Sequence, residues 1–261
     1  MKKLLALVLA LVMVCSVCAC GSSDEGNTTF TVGFDAEFPP YGYKDEAGNY
    51  VGFDLDLAQE VCKRRGWEYK AQPIDWDSKD MEINAGTISC IWNGFTITSE
   101  NKDSYTWTDP YVDNSQVFAV KADSGINSQA DLAGKTIVVQ AGSSALSAIN
   151  SDECAELKAS FKEVIEVPDY NTAFTYLQSG MAEAVAVDSG VAKYQINERG
   201  EADYKVLDEE LVKEVYGIGF KKGNTDLRDK VQETLLEMVK DGKFAEIAEK
   251  WELTDSVVFG K

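Results

Sequence analysis

The chain contains no histidine, and only four of its 261 residues are arginine (Arg64, Arg65, Arg199 and Arg228). The absence of histidine excludes Ser-His and Cys-His catalysis and most zinc sites. Basic residues are also scarce relative to acidic ones, which gives a formal net charge of −19. A surface this acidic repels nucleic acid and anionic lipid. We therefore expect no nucleic-acid partner, no metal site and no cofactor.

Long apolar runs are also missing beyond the N-terminus. Lys2 and Lys3 precede an apolar run over 4–14 that is too short to cross a bilayer comfortably, which is typical of an export signal. The sequence VCACG then resembles a bacterial lipoprotein box, with Cys20 as the lipidated first residue of the mature chain. We predict a signal peptide over 1–19 and a flexible tether over 20–29. An ordinary signal peptide cleaved slightly later is the alternative, and Cys18 leaves some ambiguity about the cysteine concerned.

Three further cysteines, Cys62, Cys90 and Cys154, form an odd set without the spacing of metal ligands. Cys62 falls in a helical pattern and Cys90 in a strand pattern, so both are expected to be buried free thiols. One disulfide is possible among the three, and the sequence does not assign it.

An aromatic, proline-containing segment follows the first predicted strand (30–34). Phe38 and Tyr41 flank Pro39-Pro40, and Asp35 stands at the end of the strand. Two prolines fix the backbone and remove N–H donors, so the segment is expected to form a shaped loop. A stiff aromatic loop beside a strand-end carboxylate suits one wall of a small-molecule pocket. Packing of the same aromatic residues into a core is the alternative.

Strand-like and helix-like patterns alternate along the chain, which predicts an α/β fold. Asp54 and Asn171 are expected to cap helices, and Ser143-Ser144 to begin another. Polar residues recur at strand ends, and in open α/β sheets ligands bind at the carboxyl ends of strands. The positions concerned are Asp35, Asn93, Ser143 and Asp188. Their spread along the chain predicts two lobes that face one cleft.

Several motifs together resemble one family. The segments are GFDAEFPPYGY, GFDLDLA, IDWDS, WNGFTIT, WTDPY, DLAGKTIVVQAGSS, AEAVAVDSG, YGIGFKKGN and FAEIAEKW. Their order and spacing are similar to those of the polar amino-acid binding proteins of ABC importers, solute-binding protein family 3. The resemblance covers roughly 30–252 and implies a type II periplasmic-binding-protein fold, two α/β lobes joined by a two-strand hinge.

The resemblance also implies boundaries and a function. Lobe 1 is expected over 30–113 and 217–261, and lobe 2 over 114–216. Such proteins are binding proteins, not enzymes: they capture a polar amino acid or derivative and deliver it to a membrane permease and its ATPase. We expect a monomer, exported and lipid-anchored to the outer face of the cytoplasmic membrane.

Site residues follow from the matched motifs. Asp188 falls at the position of the family's ammonium-binding aspartate, and a strand-end carboxylate suits an α-amino group. Gly94 and Thr96 match positions that contact the ammonium and the α-carboxylate. Ser143 and Ser144, after Gly142, are expected to hold the carboxylate with N–H groups at a helix start.

The ligand side chain is expected to lie between the aromatic residues Phe38 and Trp76, with Tyr41 nearby. Asp35, Asn93 and Gln140 are expected to meet its far end. Trp92 is expected to pack in the core, and Phe95 suits core and pocket equally. An acidic cleft with amide groups favours a neutral or cationic ligand and disfavours acidic ones.

One position departs from the family pattern. The family usually has an arginine five residues after the motif threonine, where this chain has Asn101. Asparagine offers donors without the charge that grips a carboxylate. A shift of one residue would bring Lys102 there, and Lys79 is another substitute, although a solvated surface lysine is the expectation for Lys79.

Two other functions remain open at this point. A few proteins of this fold are exported dehydratases of cyclic dienyl acids, but they need cations for the substrate carboxylates. A sensory ligand-binding domain is the other alternative, and neighbouring permease and ATPase genes would distinguish it.

Overall fold

The computed structural model describes residues 28–260. The predicted signal peptide, Cys20 and all of the predicted tether except Thr28 and Thr29 lie outside the described residues. The strands are β1 (Thr29–Phe34), β2 (Glu37–Phe38), β3 (Gly42–Lys44), β4 (Tyr50–Val51), β5 (Glu68–Pro73), β6 (Cys90–Ile91), β7 (Tyr105–Trp107), β8 (Val112–Lys121), β9 (Thr136–Gln140), β10 (Glu163–Val167), β11 (Ala184–Asp188), β12 (Tyr204–Val206), β13 (Val212–Tyr216) and β14 (Gly219–Lys221).

The α-helices are α1 (Phe53–Arg65), α2 (Lys79–Ala85), α3 (Ser144–Ile149), α4 (Ala155–Ser160), α5 (Tyr170–Ser179), α6 (Ser189–Arg199), α7 (Thr225–Lys240) and α8 (Lys243–Lys250). None of the helices formed by residues 28–260 has both the length and the apolar character needed to cross a membrane.

The first sheet has the order β5-β1-β6-β14-β7. Strand β1 runs parallel to β5 and β6, and β14 runs antiparallel to β6 and β7. Helices α1, α7 and α8 pack on one another beside this sheet. The sheet therefore combines the start of the chain with a strand from near its end.

The second sheet has the order β10-β9-β11-β8-β12, with β13 also paired to β8. Strand β9 lies parallel to both β10 and β11, and β8 runs antiparallel to β11 and β12. Helices α5 and α6 follow strand β10 at the edge of the sheet and the buried strand β11, in the βα alternation that the sequence predicts.

Two antiparallel strands, β8 and β13, connect the sheets. They pair from Val212 opposite Gln116 to Tyr216 opposite Val112. Strand β8 leaves the first sheet after β7 and enters the second, while β13 returns toward β14. The predicted two-lobed α/β fold is therefore confirmed, with buried polar side chains of Asn114 and Gln116 on the connecting strand.

Two predicted helix caps are wrong. Helix α5 is capped by Asp169, whose carboxylate accepts a hydrogen bond from the Thr172 N–H at 2.7 Å, and Asn171 lies inside the first turn. Helix α1 is instead preceded by Gly52. Glycine is needed at this position because a Cβ would lie 2.2 Å from the Tyr41 carbonyl oxygen. This close approach places the start of α1 against the aromatic loop and leaves Asp54 buried.

The core accounts for several residues that the sequence left between alternatives. Trp92 is fully buried, as predicted. Cys62 and Cys90 are buried and Cys154 is half-buried, and among residues 28–260 none of the three is in a disulfide. The Phe95 ring packs against Tyr105 and Trp107 and also borders the cavity described next.

Candidate ligand-binding site

A cavity of about 280 Å³ lies between the two sheets, at the carboxyl ends of β9 and β11 and beside the segment after β6. Its size suits a small solute. Most of the residues that the sequence predicts for the site line it, namely Phe38, Trp76, Gly94, Thr96, Asn101, Gln140, Gly142, Ser143, Ser144 and Asp188. Residues widely separated in sequence therefore meet in one cleft.

Asp188 ends β11 and is 3% exposed. Its Oδ1 accepts hydrogen bonds from Tyr216 OH at 2.6 Å, Gln116 Nε2 at 2.7 Å and Asn114 Nδ2 at 2.8 Å. Burial raises the pKa of the Asp188 carboxyl, although these hydrogen bonds oppose the increase. The structure thus fixes a buried carboxylate by donors from both connecting strands.

Glu214, on β13, is a second half-buried carboxylate that sequence reasoning missed. Its Oε2 accepts from Gln116 Nε2 at 2.9 Å and from Thr96 Oγ1 at 3.1 Å. The same oxygen also accepts hydrogen bonds from Asn114 Nδ2 at 3.2 Å and Ser144 Oγ at 3.3 Å. Burial, and then the nearby charge of Asp188, raise the pKa of Glu214 to about 7.

A signal for Glu214 did exist in the sequence. Asn114, Ser115 and Gln116 interrupt an apolar strand pattern, and buried polar groups need hydrogen-bond partners. The neighbouring strand β13 ends at Tyr216, and Glu214 lies two positions earlier on the same face of that strand as Tyr216.

Gly94 is held from behind by Asp54. The Gly94 N–H donates to Asp54 Oδ2 at 2.7 Å, and Tyr111 OH donates to the same oxygen at 2.8 Å. Gly94 has a φ of +56°, and a Cβ there would lie 2.7 Å from Phe38 Cε1. Burial raises the pKa of Asp54 to about 7. Asp54 therefore orients the cavity wall from within the core.

The aromatic wall has two layers. Phe38 lines the cavity and packs against Tyr41 at 5.7 Å and Tyr170 at 5.8 Å between ring centroids. Tyr41 does not line the cavity, because it lies in the second layer, between Phe38 and Tyr216. Trp76 also lines the cavity, where its motif places it.

Asp35 and Asn93 also lie beside the cavity, not in its lining. Gln140 Nε2, from the second sheet, donates to Asp35 Oδ2 at 2.6 Å, so Asp35 is engaged with the opposite lobe. Asn93 Oδ1 accepts from the Asp35 N–H at 3.0 Å and is buried. Burial raises the pKa of Asp35 to about 6. These residues set the position of Gln140, which does line the cavity.

Asn101 lines the cavity at the position of the family arginine, but its amide stabilises its own loop. Its Nδ2 donates to the Thr96 carbonyl at 2.9 Å, and its Oδ1 accepts from the Thr98 N–H at 2.8 Å. Lys102 is exposed and does not line the cavity.

Lys79 is not the solvated surface lysine that the sequence predicts. Its Nζ lies 5.1 Å from the Trp76 ring centroid and donates to the carbonyl oxygens of Trp76 and Gly142, each at 3.1 Å. Burial lowers the pKa of Lys79. Within residues 28–260 it is the cation that lines the cavity, and the four arginines lie elsewhere.

Ser143 caps helix α3, as predicted. Its Oγ accepts from the Leu146 N–H at 3.2 Å and donates to the Gln140 carbonyl at 2.8 Å. The hydroxyl of Ser144 lies within hydrogen-bond distance of Gln116, Thr96 and Glu214. The β9–α3 turn thus brings serine side chains to both the cavity and the connecting strands.

Comparisons with known proteins agree with this geometry. The family model of bacterial extracellular solute-binding proteins, family 3, matches residues 30–254. The chain is 30% identical over 259 residues to the arginine-binding extracellular protein ArtP of Bacillus subtilis, covering 96% of this chain and 98% of that protein. It is 31% identical over 273 residues to the glutamine-binding protein GlnH of the same organism, covering 96% and 97%.

Among solved structures, an ABC uptake transporter substrate-binding protein from Streptococcus pneumoniae with bound histidine superimposes with a TM-score of 0.84. The two chains are 36% identical, and the match covers 89% of this chain and 95% of the other. Family model, relatives and structure agree with the motif resemblance. The chain therefore belongs to the bacterial extracellular solute-binding proteins of family 3.

Proposed function

We propose that this protein captures a small polar solute with a positively charged nitrogen, an amino acid or a derivative, and delivers it unchanged to the permease of an ABC importer. The observation that carries the proposal is Asp188, a buried carboxylate that lines the cavity and whose Oδ1 accepts from three donors. A carboxylate fixed in this way forms strong, charge-assisted hydrogen bonds to an ammonium group.

The character of the cleft supports a neutral or cationic ligand. Phe38 and Trp76 provide apolar faces, and the lining carboxylates Asp80, Glu100 and Asp188 provide negative charge. The ligands named for the similar proteins, arginine, glutamine and histidine, are neutral or cationic amino acids of this kind. An acidic ligand would meet these carboxylates and is disfavoured.

Closure of the two lobes accompanies capture in this proposal. Lobe 1 consists of residues 30–113 and 217–261, lobe 2 of residues 114–216, and the hinge lies in β8 and β13. Hydrogen bonds that cross the cleft, such as Gln140 to Asp35 and Lys79 to the Gly142 carbonyl, support this division.

The partner and location follow from the family and from the N-terminal motif. The protein acts as a monomer at the outer face of the cytoplasmic membrane, where lipid on Cys20 anchors it near the permease and ATPase. Metabolic labelling with a palmitate analogue, compared between the wild type and Cys20→Ser, tests the anchor directly.

Thermal unfolding of the mature protein with each proteinogenic amino acid, and with amine and amide derivatives, tests the function. A ligand at 100 times its Kd stabilises the folded state by about 2.7 kcal/mol. Asp188→Asn is expected to abolish the shift, since the amide keeps the shape but not the charge. Retained affinity in this variant would refute the role of Asp188. Turnover of prephenate or arogenate by the wild type would instead support the dehydratase alternative.

A further inference from the structure

We propose that Lys79 contacts the carboxylate of the captured solute, as the cation that this cavity has in place of the family arginine. The inference rests on the proposed function, because it names the group that recognises one end of the same solute. It specifies that the solute is a zwitterion, whose ammonium group faces Asp188 and whose carboxylate faces Lys79. The argument concerns the position, the free donor and the charge of Lys79.

The position of Lys79 places its ammonium group where the two lobes meet, in the wall of the cavity. Its Nζ donates to the Trp76 carbonyl in its own lobe and to the Gly142 carbonyl in the β9–α3 turn, each at 3.1 Å. Gly142, Ser143 and Ser144 of that turn also line the cavity. The ammonium group is therefore fixed beside the turn that the sequence predicts to hold the carboxylate of the solute.

The ammonium group of Lys79 also keeps a donor for the solute. It has three N–H groups, and contacts with the described residues account for two of them. The third N–H needs an acceptor in the cavity, because an ammonium group only donates hydrogen bonds. A carboxylate is the strongest acceptor that an amino acid offers, since both partners of the hydrogen bond are then charged.

The charge of Lys79 lacks a counter-charge within the described part of the chain. None of the ion pairs formed by residues 28–260 includes Lys79. Asp80 follows it directly, but the Asp80 carboxylate accepts a hydrogen bond from Tyr105 OH. Burial lowers the pKa of Lys79, and the more distant charges of Asp80 and Asp77 oppose this decrease only in part. An anionic group of the solute would stabilise the charged form of Lys79.

Neighbouring groups also favour a carboxylate at this end of the cavity. The backbone N–H groups of Thr96 and Ser144 have no acceptor among the described residues. Two neutral N–H donors can bind a carboxylate but do not balance its charge. Asn101 does not balance it either, because its amide is neutral and hydrogen-bonded within its own loop. Among residues 28–260, Lys79 is the cation in the lining that can do so.

The two charged groups together predict which solutes are rejected. Asp188 ends β11 of the second sheet, and Lys79 begins α2 beside the first. An amine without a carboxylate leaves Lys79 without a counter-charge, and an acid without an amine does the same to Asp188. The cavity therefore selects amino acids in which both groups are free, by penalising compounds that lack either one.

Matched pairs of compounds test the inference. The mature protein is screened by thermal unfolding against the twenty proteinogenic amino acids and their twenty α-carboxamides, and binders are measured by calorimetry. The carboxamide keeps the shape of the carboxyl group and removes its charge. We expect the tightest amino acid to bind at least about tenfold more tightly than its carboxamide, because charged hydrogen bonds are stronger than neutral ones.

Lys79→Gln tests the stated cause. The amide removes the charge and keeps N–H donors, and Lys79→Met removes both. In either variant the preference for the amino acid over its carboxamide is expected to fall at least about tenfold, whereas Lys79→Arg keeps the charge and should retain most of the preference. Lys102→Gln is the matched control, because it removes the same charge from an exposed residue that does not line the cavity. Unfolding in urea verifies that the variants fold.

The outcomes separate the inference from the proposed function. If carboxamides bind the wild type as tightly as their parent amino acids, or more tightly, the inference is wrong and the proposed function stands. If Lys79→Gln weakens both members of a pair equally, Lys79 only joins the two lobes, and the inference is again wrong. If none of the forty compounds binds, the inference and the proposed function are both wrong.

Discussion

The carboxylates of Glu214 and Asp188 accept hydrogen bonds from the same two side chains, Gln116 and Asn114. One carboxylate ends a strand of the second sheet and the other lies on a strand that connects the lobes. Their proximity makes the protonation of each depend on the other. The charge of Asp188 in the cavity wall therefore depends on Glu214, which lies behind that wall and contacts Thr96 and Ser144.

The first prediction concerns pH and the stability of the ligand-free protein. Burial raises the pKa of Glu214 from 4.5 to about 7 and also raises that of Asp188. Between pH 4.5 and about 7 the folded protein binds more protons than the unfolded chain, so its stability falls as pH rises. The cost of burying the charge is absent below pH 4.5 and complete above about 7. The urea midpoint should be lower at pH 8 than at pH 5.

Glu214→Gln serves as the control for this pH dependence. Asp35 and Asp54, whose pKa values are about 6 and about 7, contribute in the same direction, so the variant should flatten the profile without abolishing it. Tyr170 and Tyr216 face Asp188 and stay protonated throughout, because burial raises their pKa values far above this range. A midpoint that is identical at both pH values would contradict the prediction.

The second prediction concerns the affinity for cations. Binding of an ammonium group beside Asp188 favours the ionised form of the Asp188–Glu214 pair. The affinity for the tightest ligand of the thermal screen should therefore rise with pH, by up to about tenfold per unit for one released proton, and level off above about 7. Calorimetry in buffers of different ionisation enthalpy measures the proton release. Affinity that falls as pH increases through this range would disagree with a cationic ligand.

The third prediction concerns Gly94. An alanine Cβ there would lie 2.7 Å from the Phe38 ring, in addition to the strain of a positive φ of about 1–2 kcal/mol. Gly94→Ala should displace the aromatic wall and weaken ligand binding by more than tenfold. Gly86→Ala is the matched control, since Gly86 has a φ of +77° and no atom within 4 Å of the added Cβ. Equal loss of binding in both variants would mean that strain alone is responsible.

The fourth prediction concerns the hydrogen bond from Gln140 to Asp35, which crosses the cleft. Gln140→Ala removes a donor from a buried carboxylate, and an unsatisfied buried group costs about 1–3 kcal/mol. The hydrogen bond is lost only from the form in which the two lobes touch, so that form is destabilised. Ligand affinity should therefore decrease, and solution scattering should show a larger radius of gyration for the ligand-free variant than for the ligand-free wild type. Asn84→Ala, whose side chain is exposed on α2, should change neither quantity.

Much of the fold was predictable because its signals are local. Strand-end polar residues such as Asp188 and Ser143 mark the carboxyl edges of sheets, and their convergence follows from the α/β architecture. Helix caps were less predictable. Asp169 and Asn171 are both good caps, and only the tertiary position of the chain decides between them.

The remaining parts of the site depend on relationships between distant segments. Tyr41 and Asn93 belong to the right segments but lie behind the cavity wall, which a single sequence cannot distinguish from the wall itself. Glu214 lies 118 residues from Thr96, whose hydroxyl it contacts, and no local pattern links them. The sequence predicts a solvated Lys79 because its contact with the Gly142 carbonyl, 63 residues away, forms only in the folded chain.

Strands β8 and β13 connect the two sheets, and they also carry Gln116 and Glu214, which are hydrogen-bonded to each other and, through Gln116, to Asp188. In the proposed hinge, a solute that binds Asp188 contacts a carboxylate that is hydrogen-bonded directly to both connecting strands. A small rotation at the proposed hinge would move the distant rims of the two lobes by a larger distance. Under the proposed function, the charge of the solute would thereby influence the position of the lobe surfaces that face the permease.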